Sequence, residues 1–93
     1  IAIPEKAFLD SFGIVPLAIF KDSIFYLNPK KLISLAKKTK NKALLLRVLY
    51  LLDKFSLAKA KPISYRKPIL LDPIAGKEGK LIEEWNIIEN VEV

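Results

Sequence analysis

Cysteine, histidine, methionine and glutamine are all absent from this 93-residue chain. Without cysteine there is no disulfide, no thiolate nucleophile and no thiolate metal ligand. Without histidine there is no imidazole base and no imidazole ligand, so the usual structural and catalytic zinc sets are excluded. The same absences, beside abundant Lys, Glu and Ile, are the composition expected of a cytoplasmic protein from a hot environment, where thermolabile side chains are depleted. Long apolar runs are missing too. Ile14 to Phe20 and Ala43 to Leu46 fall far short of the ~20 residues that cross a bilayer, which gives a membrane role no support. The first residues, Ile1-Ala2-Ile3-Pro4, lack the basic flank and apolar core of a signal peptide, and residue 1 is not Met, so the chain reads as an excised piece.

What remains is globular in character. Hydrophobic residues make up 52% and charged residues 28%, far from the apolar-poor composition of disordered chains. The length suits one domain with a single core. The formal net charge of +6 is unevenly spread: Ile1 to Lys67 holds 14 basic and 4 acidic residues, Pro68 to Val93 holds 2 and 6. A basic helical face and a mildly acidic tail follow, serving either solubility and thermal ion pairing or phosphate binding.

Helix signals dominate the first half. Pro4-Glu5 suits a first turn and Gly13 a stop, which predicts a helix over Pro4 to Phe12 with Phe8, Leu9 and Phe12 inward and Lys6 and Asp10 outward. Ile14 to Tyr26 is broken by Pro16. It reads as a short helix at Leu17 to Lys21 followed by an extended piece at Ser23 to Leu27. Asn28-Pro29 restarts a helix, because Asn caps and Pro is tolerated at N1. In that helix, to about Lys40, Leu32, Ile33, Leu35, Ala36 and Thr39 fall on one side, and Lys30, Lys31, Ser34, Lys37 and Lys38 on the other. Asn41 ends it or caps the next helix, which runs to about Lys54. That helix is leucine-rich over most of its circumference, with Arg47 and Lys54 on a narrow polar strip, and is therefore the central buried helix. Such a leucine-packed second helix argues against a helix-turn-helix, whose recognition helix needs polar side chains for base edges.

Beyond Phe55 the pattern changes. Ile63, Tyr65, Ile69, Leu70 and Leu71 lie among Pro62, Pro68 and Pro73, which suits short edge strands, and Gly76 to Gly79 reads as an exposed turn. Trp85, Ile87, Val91 and Val93 share one parity against Asn86, Asn90 and Glu92, predicting a half-buried terminal strand with a bulge at Ile88-Glu89. Trp85 is expected to pack on Leu45, Leu49 or Leu52.

A search for catalytic parts finds none. Gly76 and Gly79 lack the spacing and following helix of a phosphate loop. Glu83 and Glu84 are adjacent and on a strand would face opposite ways. Asp10, Asp22, Asp53 and Asp72 do not cluster as magnesium or calcium ligands, and no serine has a neighbouring base. The expectation is a protein that is not an enzyme, without cofactor or metal. Lysine without interleaved exposed aromatics points to backbone phosphate contact, not base stacking. The candidate nucleic-acid contacts are Lys30, Lys31, Lys37, Lys38, Lys40, Lys42 and Arg47.

Two groups of residues carry a family resemblance. Ile1-Ala2-Ile3-Pro4-Glu5-Lys6-Ala7-Phe8-Leu9-Asp10 is similar to the A-T-P-E-K-A-L-L-D segment of AbiEi-type antitoxins, with Ile3 where Thr is common. Gly13 to Tyr26 departs from the pattern. Leu32 to Leu52, ending in Tyr50-Leu51-Leu52, resembles that family's helix pair. Leu71-Asp72-Pro73, a glycine turn and Trp85-Asn86-Ile87-Ile88-Glu89-Asn90-Val91 resemble its L-D-P and W-x-L-x-x-N-V ending. The resemblance implies a two-domain transcriptional regulator whose N-terminal winged helix-turn-helix is not part of this chain. Its C-terminal domain supplies antitoxin activity and supports operator binding. The cognate toxins are nucleotidyltransferase-like and are opposed directly or indirectly, and no catalytic residues are carried over.

The expected fold class is α+β, helices first and a small antiparallel sheet last, in one domain over residues 1–93. The expected partners are duplex DNA, held weakly, and a nucleotidyltransferase-like toxin. Two alternatives stand beside this: a protein-interaction module with a solubilising lysine face, and a standalone non-specific nucleic-acid binder.

Overall fold

Capping residues divide the first half into helices as their chemistry requires. A computed structural model describes residues 4–93. Ile1, Ala2 and Ile3, part of the stretch quoted for the family resemblance, lie outside the described residues. The element order is α1 (Pro4–Ser11), α2 (Leu17–Phe20), a 3-10 helix (Lys21–Tyr26), α3 (Pro29–Lys38), α4 (Lys42–Lys54), then β1 (Ile69–Leu70), β2 (Lys80–Ile82) and β3 (Ile87–Glu89). This is an α+β fold with its helices first. No helix among the described residues is long and apolar enough to cross a membrane.

Gly13, with φ of +84°, closes α1 in the left-handed region that only glycine enters without cost. Phe8, Phe12 and Phe20 then meet edge to face, with ring centroids 5.2 to 5.6 Å apart, joining α1 to α2. Of the extended piece expected at Ser23 to Leu27, Ser23 to Tyr26 belong instead to the 3-10 helix, and Leu27, its C-cap, is extended. Three residues per turn put Ile24 and Leu27 inward together and leave Phe25 and Tyr26 outside, a split that no strand alternation produces.

α4 is the central buried helix, as its composition demands, with Leu44, Leu46, Val48, Leu49, Tyr50, Leu51 and Leu52 all buried. α3 packs along it and α1 against α3. Glu5 is buried at the start of α1, where one carboxylate oxygen accepts the Asn28 backbone N–H at 3.0 Å and the other lies 3.8 Å from Lys31 Nζ.

The sheet is mixed, which corrects the antiparallel expectation. Its order is β1-β3-β2, with β1 parallel and β2 antiparallel to β3. The reason lies in the connection. The chain leaves β1, passes through a long loop into β2, and turns back through a hairpin so that β3 fills the slot between them. A parallel neighbour needs such an excursion, whereas a tight hairpin from β1 does not give one. β2 lies where the sequence shows no strand pattern, and of the short edge strands expected among Ile63, Tyr65, Ile69, Leu70 and Leu71 the structure has one, Ile69–Leu70, at the sheet edge. Nor is there a bulge in β3: Ile82, Leu81 and Lys80 pair in unbroken register with Ile87, Ile88 and Glu89. Gly79 is required here by close approach, since a Cβ on it would lie 2.5 Å from the Glu89 carbonyl oxygen.

Asp72, only 1% exposed, ties the two halves together. Its Oδ2 accepts the Leu17 backbone N–H at 2.9 Å, at the start of α2, and its Oδ1 accepts that of Ile74 at 3.2 Å. Asn90 clamps the same loop, accepting from the Asp72 N–H and donating to the Asp72 and Gly76 carbonyls. Asp72→Ala is expected to cost about 1–3 kcal/mol, the penalty of stranding a buried backbone donor, read as a fall in urea midpoint with an unchanged slope.

Glu5 and Glu89 are both held below the ordinary value of 4.5. For Glu5 the main cause is the Asn28 N–H, then its own backbone N–H, with Lys31 adding a smaller pull. For Glu89 burial acts upward, but hydrogen bonds from Tyr50 and Lys54 and the charges of Lys54 and Lys80 outweigh it. Between these lowered values and about 4.5 the unfolded chain binds more protons than the folded one. Their contribution is therefore full above that range and is lost as the pH falls through the folded values. Urea midpoints measured from pH 6 down to 2.5 should drop through this window, and less steeply in a Glu5→Gln, Glu89→Gln double variant.

Candidate nucleic-acid interface

α3 carries the lysines because its start is fixed by its cap. Asn28 Oδ1 accepts the Lys30 and Lys31 backbone N–H groups at 3.0 and 3.2 Å, with Pro29 in the first turn. From that phase Leu32 and Ala36 are buried, Ile33 and Leu35 half-buried, and Lys30, Lys31, Ser34, Lys37 and Lys38 exposed. Thr39, expected inward, is exposed. Its hydroxyl donates to the Ala36 carbonyl at 2.6 Å and accepts the Asn41 N–H at 3.2 Å, so it closes the helix and does not fill the core.

Lys40 then turns the chain with φ of +58°, and Asn41 Oδ1 accepts the Leu44 N–H at 3.1 Å to cap α4. The elbow brings Lys37, Lys40 and Lys42 around a shallow depression of about 320 Å³ floored by Ala36 and Leu45. A second, of about 480 Å³, lies alongside and is lined by Lys30, Ile33, Ser34, Lys37 and Lys38. The two share Lys37. Among the described residues no carboxylate comes within 4.0 Å of Lys30, Lys37, Lys38, Lys40 or Lys42, and Lys31 faces Glu5 at the long distance of 3.8 Å.

Arg47 stands apart from this group. It is half-buried, and its Nε donates to the Leu70 carbonyl at 2.8 Å, so it joins α4 to the outer side of β1. Burial pulls its guanidinium below the ordinary arginine value, partly offset by Tyr65 and Asp72. Sequence pattern alone could not separate it from the lysines, because its partner lies far along the chain. Ser64, Tyr65 and Arg66 share no helix face with the lysines, and sequence pattern does not group them with Lys42. They line a depression of about 390 Å³ together with Lys42.

At the opposite end of α4, Tyr50 donates to Glu89 Oε2 at 2.7 Å and Lys54 to Oε1 at 3.0 Å. Burial first, then the Glu89 hydrogen bond and charge, push the Tyr50 phenol well above its ordinary range, so it keeps its proton at neutral pH. The three groups satisfy one another and link helix to sheet.

The chain matches no family model, no curated protein and no solved structure. The residues that resemble the AbiEi-type ending have structural duties here. Leu71 and Trp85 are core, Asp72 and Asn90 pin the loop, and Asn86 turns the hairpin with φ of +55° while its amide donates to the Tyr65 carbonyl.

Proposed function

We propose that this chain is a non-catalytic, cytoplasmic domain of a DNA-binding regulator, of the kind found at the C-terminal end of AbiEi-type antitoxins. In this reading it steadies the parent on its operator by holding the phosphate backbone of duplex DNA, and it contributes to neutralising a nucleotidyltransferase-like toxin. The observation that carries the DNA contact is the row of Lys30, Lys37, Lys38, Lys40 and Lys42, exposed and without a carboxylate within 4.0 Å among the described residues. A surface of one sign repels itself, and a polyanion relieves that repulsion. Ammonium groups act as point charges and carry little base information. α4, being buried, offers no recognition helix, so sequence preference comes from elsewhere in the regulator.

The test is fluorescence anisotropy of this chain with two duplexes of unrelated sequence. Similar dissociation constants of about 10⁻⁴ to 10⁻⁶ M near physiological salt, weakening steeply as salt rises, are expected. Absence of binding at low salt would sink the reading.

One observation favours a second reading, a protein-interaction module. Ile14, Ile19, Phe25 and Tyr26 are 76, 73, 51 and 90% exposed within the stretch around α2 and the 3-10 helix. A contiguous apolar surface formed by such residues would mark a contact site. Under this reading the lysines are only a solvated face.

A further inference from the structure

We infer that the depression between Lys42 and the Ser64–Arg66 loop is a phosphate subsite that continues the lysine path beyond the elbow. The inference rests on the DNA-binding reading above and extends it to residues outside the lysine row. Lys42, Ser64, Tyr65 and Arg66 line a concavity of about 390 Å³. Lys42 and Arg66 are both exposed, and among the described residues neither has a carboxylate within 4.0 Å. The lining residues thus include two cations of different shape and two hydroxyl-bearing side chains, the residue types that donate to a tetrahedral oxyanion. The guanidinium offers paired N–H groups, the ammonium a point charge, and each hydroxyl a single donor.

The loop is held in place from behind. Asn86 Nδ2 donates to the Tyr65 carbonyl at 3.0 Å, so the hairpin between β2 and β3 fixes the position of the subsite.

Continuity identifies the ligand class. Lys42 belongs both to this depression and to the elbow depression, and Lys37 belongs to the elbow and to the α3 depression. The path Lys30, Lys37, Lys42, Arg66 therefore runs through three adjoining concavities. A phosphate seated at Arg66 belongs to the same nucleic acid that the lysines hold.

The test compares the intact chain with Arg66→Gln, Arg66→Lys and a Lys37→Glu, Lys38→Glu variant. Each is titrated over a salt series against one duplex with hydroxyl ends and the same duplex with 5′-phosphates, and circular dichroism checks the fold. Arg66→Gln is expected to weaken binding uniformly across sequences and to flatten the log-log salt slope by about 1. Arg66→Lys should retain the slope with a smaller loss of affinity, since it keeps charge but not the fork. Loss on both duplexes assigns the subsite to the backbone, and loss confined to the phosphorylated duplex assigns it to strand ends. Unchanged binding by Arg66→Gln, with Lys37→Glu, Lys38→Glu impaired, overturns the subsite and leaves the lysine row standing. No change in any variant overturns both.

Discussion

Trp85→Ala is expected to cost about 3–5 kcal/mol, the range for truncating a buried aromatic. Trp85 is the only tryptophan and is 4% exposed, with its ring edge to face against Tyr50 at 5.6 Å between centroids. It occupies the four-residue turn between β2 and β3, closed by the Trp85 N–H on the Ile82 carbonyl at 3.0 Å and the Asn86 N–H on Glu83 at 3.2 Å. Deleting the indole opens a cavity under the hairpin and loosens Tyr50, whose phenol holds Glu89. Small domains have about 5–15 kcal/mol of stability in total, so this loss is a large share. The melting temperature should fall by at least about 10 °C. Wild-type emission should be blue-shifted and resistant to iodide. A change in melting temperature of a degree or two would show that the turn is not part of the core.

Reversal of Lys30, Lys37 and Lys38 to Glu is expected to have the largest effect on DNA binding while leaving the fold intact. The three side chains are exposed and make no ion pair among the described residues, so no ion pair is lost. Lys37 and Lys38 do sit in the last turn of α3, where positive charge complements the dipole, which costs about 0.3–1 kcal/mol each when removed. Lys31 is left in place, because a glutamate there would face the Glu5 carboxylate. If three phosphates are no longer engaged, the salt slope flattens by about 2.7. The affinity lost between 50 and 200 mM salt then shrinks roughly 40-fold relative to wild type.

The helical half was legible because its signals are local. Asn28, Pro29 and Asn41 act within one turn of themselves, and the phase they set fixes which faces of α3 and α4 are buried. The 3-10 helix is not legible because its three-residue repeat over six residues matches neither the α-helical nor the strand period. β1 and β2 are two and three residues long, too short for any periodicity to show. Trp85 was recognised as core, but its parity with Ile87 suggested a strand where the chain makes a turn. The lysines of α3 could be read from one helix face. Arg47 could not be told from them, since Leu70, its partner, is remote in sequence, and Arg66 has no local feature that places it beside Lys42.

The most direct measurement is the slope of log affinity against log salt for one duplex, taken for the wild-type chain and for the Lys30→Glu, Lys37→Glu, Lys38→Glu variant, with both shown to be folded by circular dichroism. A steep wild-type slope, of about −0.9 for each phosphate engaged, and a clearly flatter slope with weaker binding in the variant are the expected result. Equal slopes and equal affinities in two folded proteins would contradict the account and leave the lysines as a solvated face.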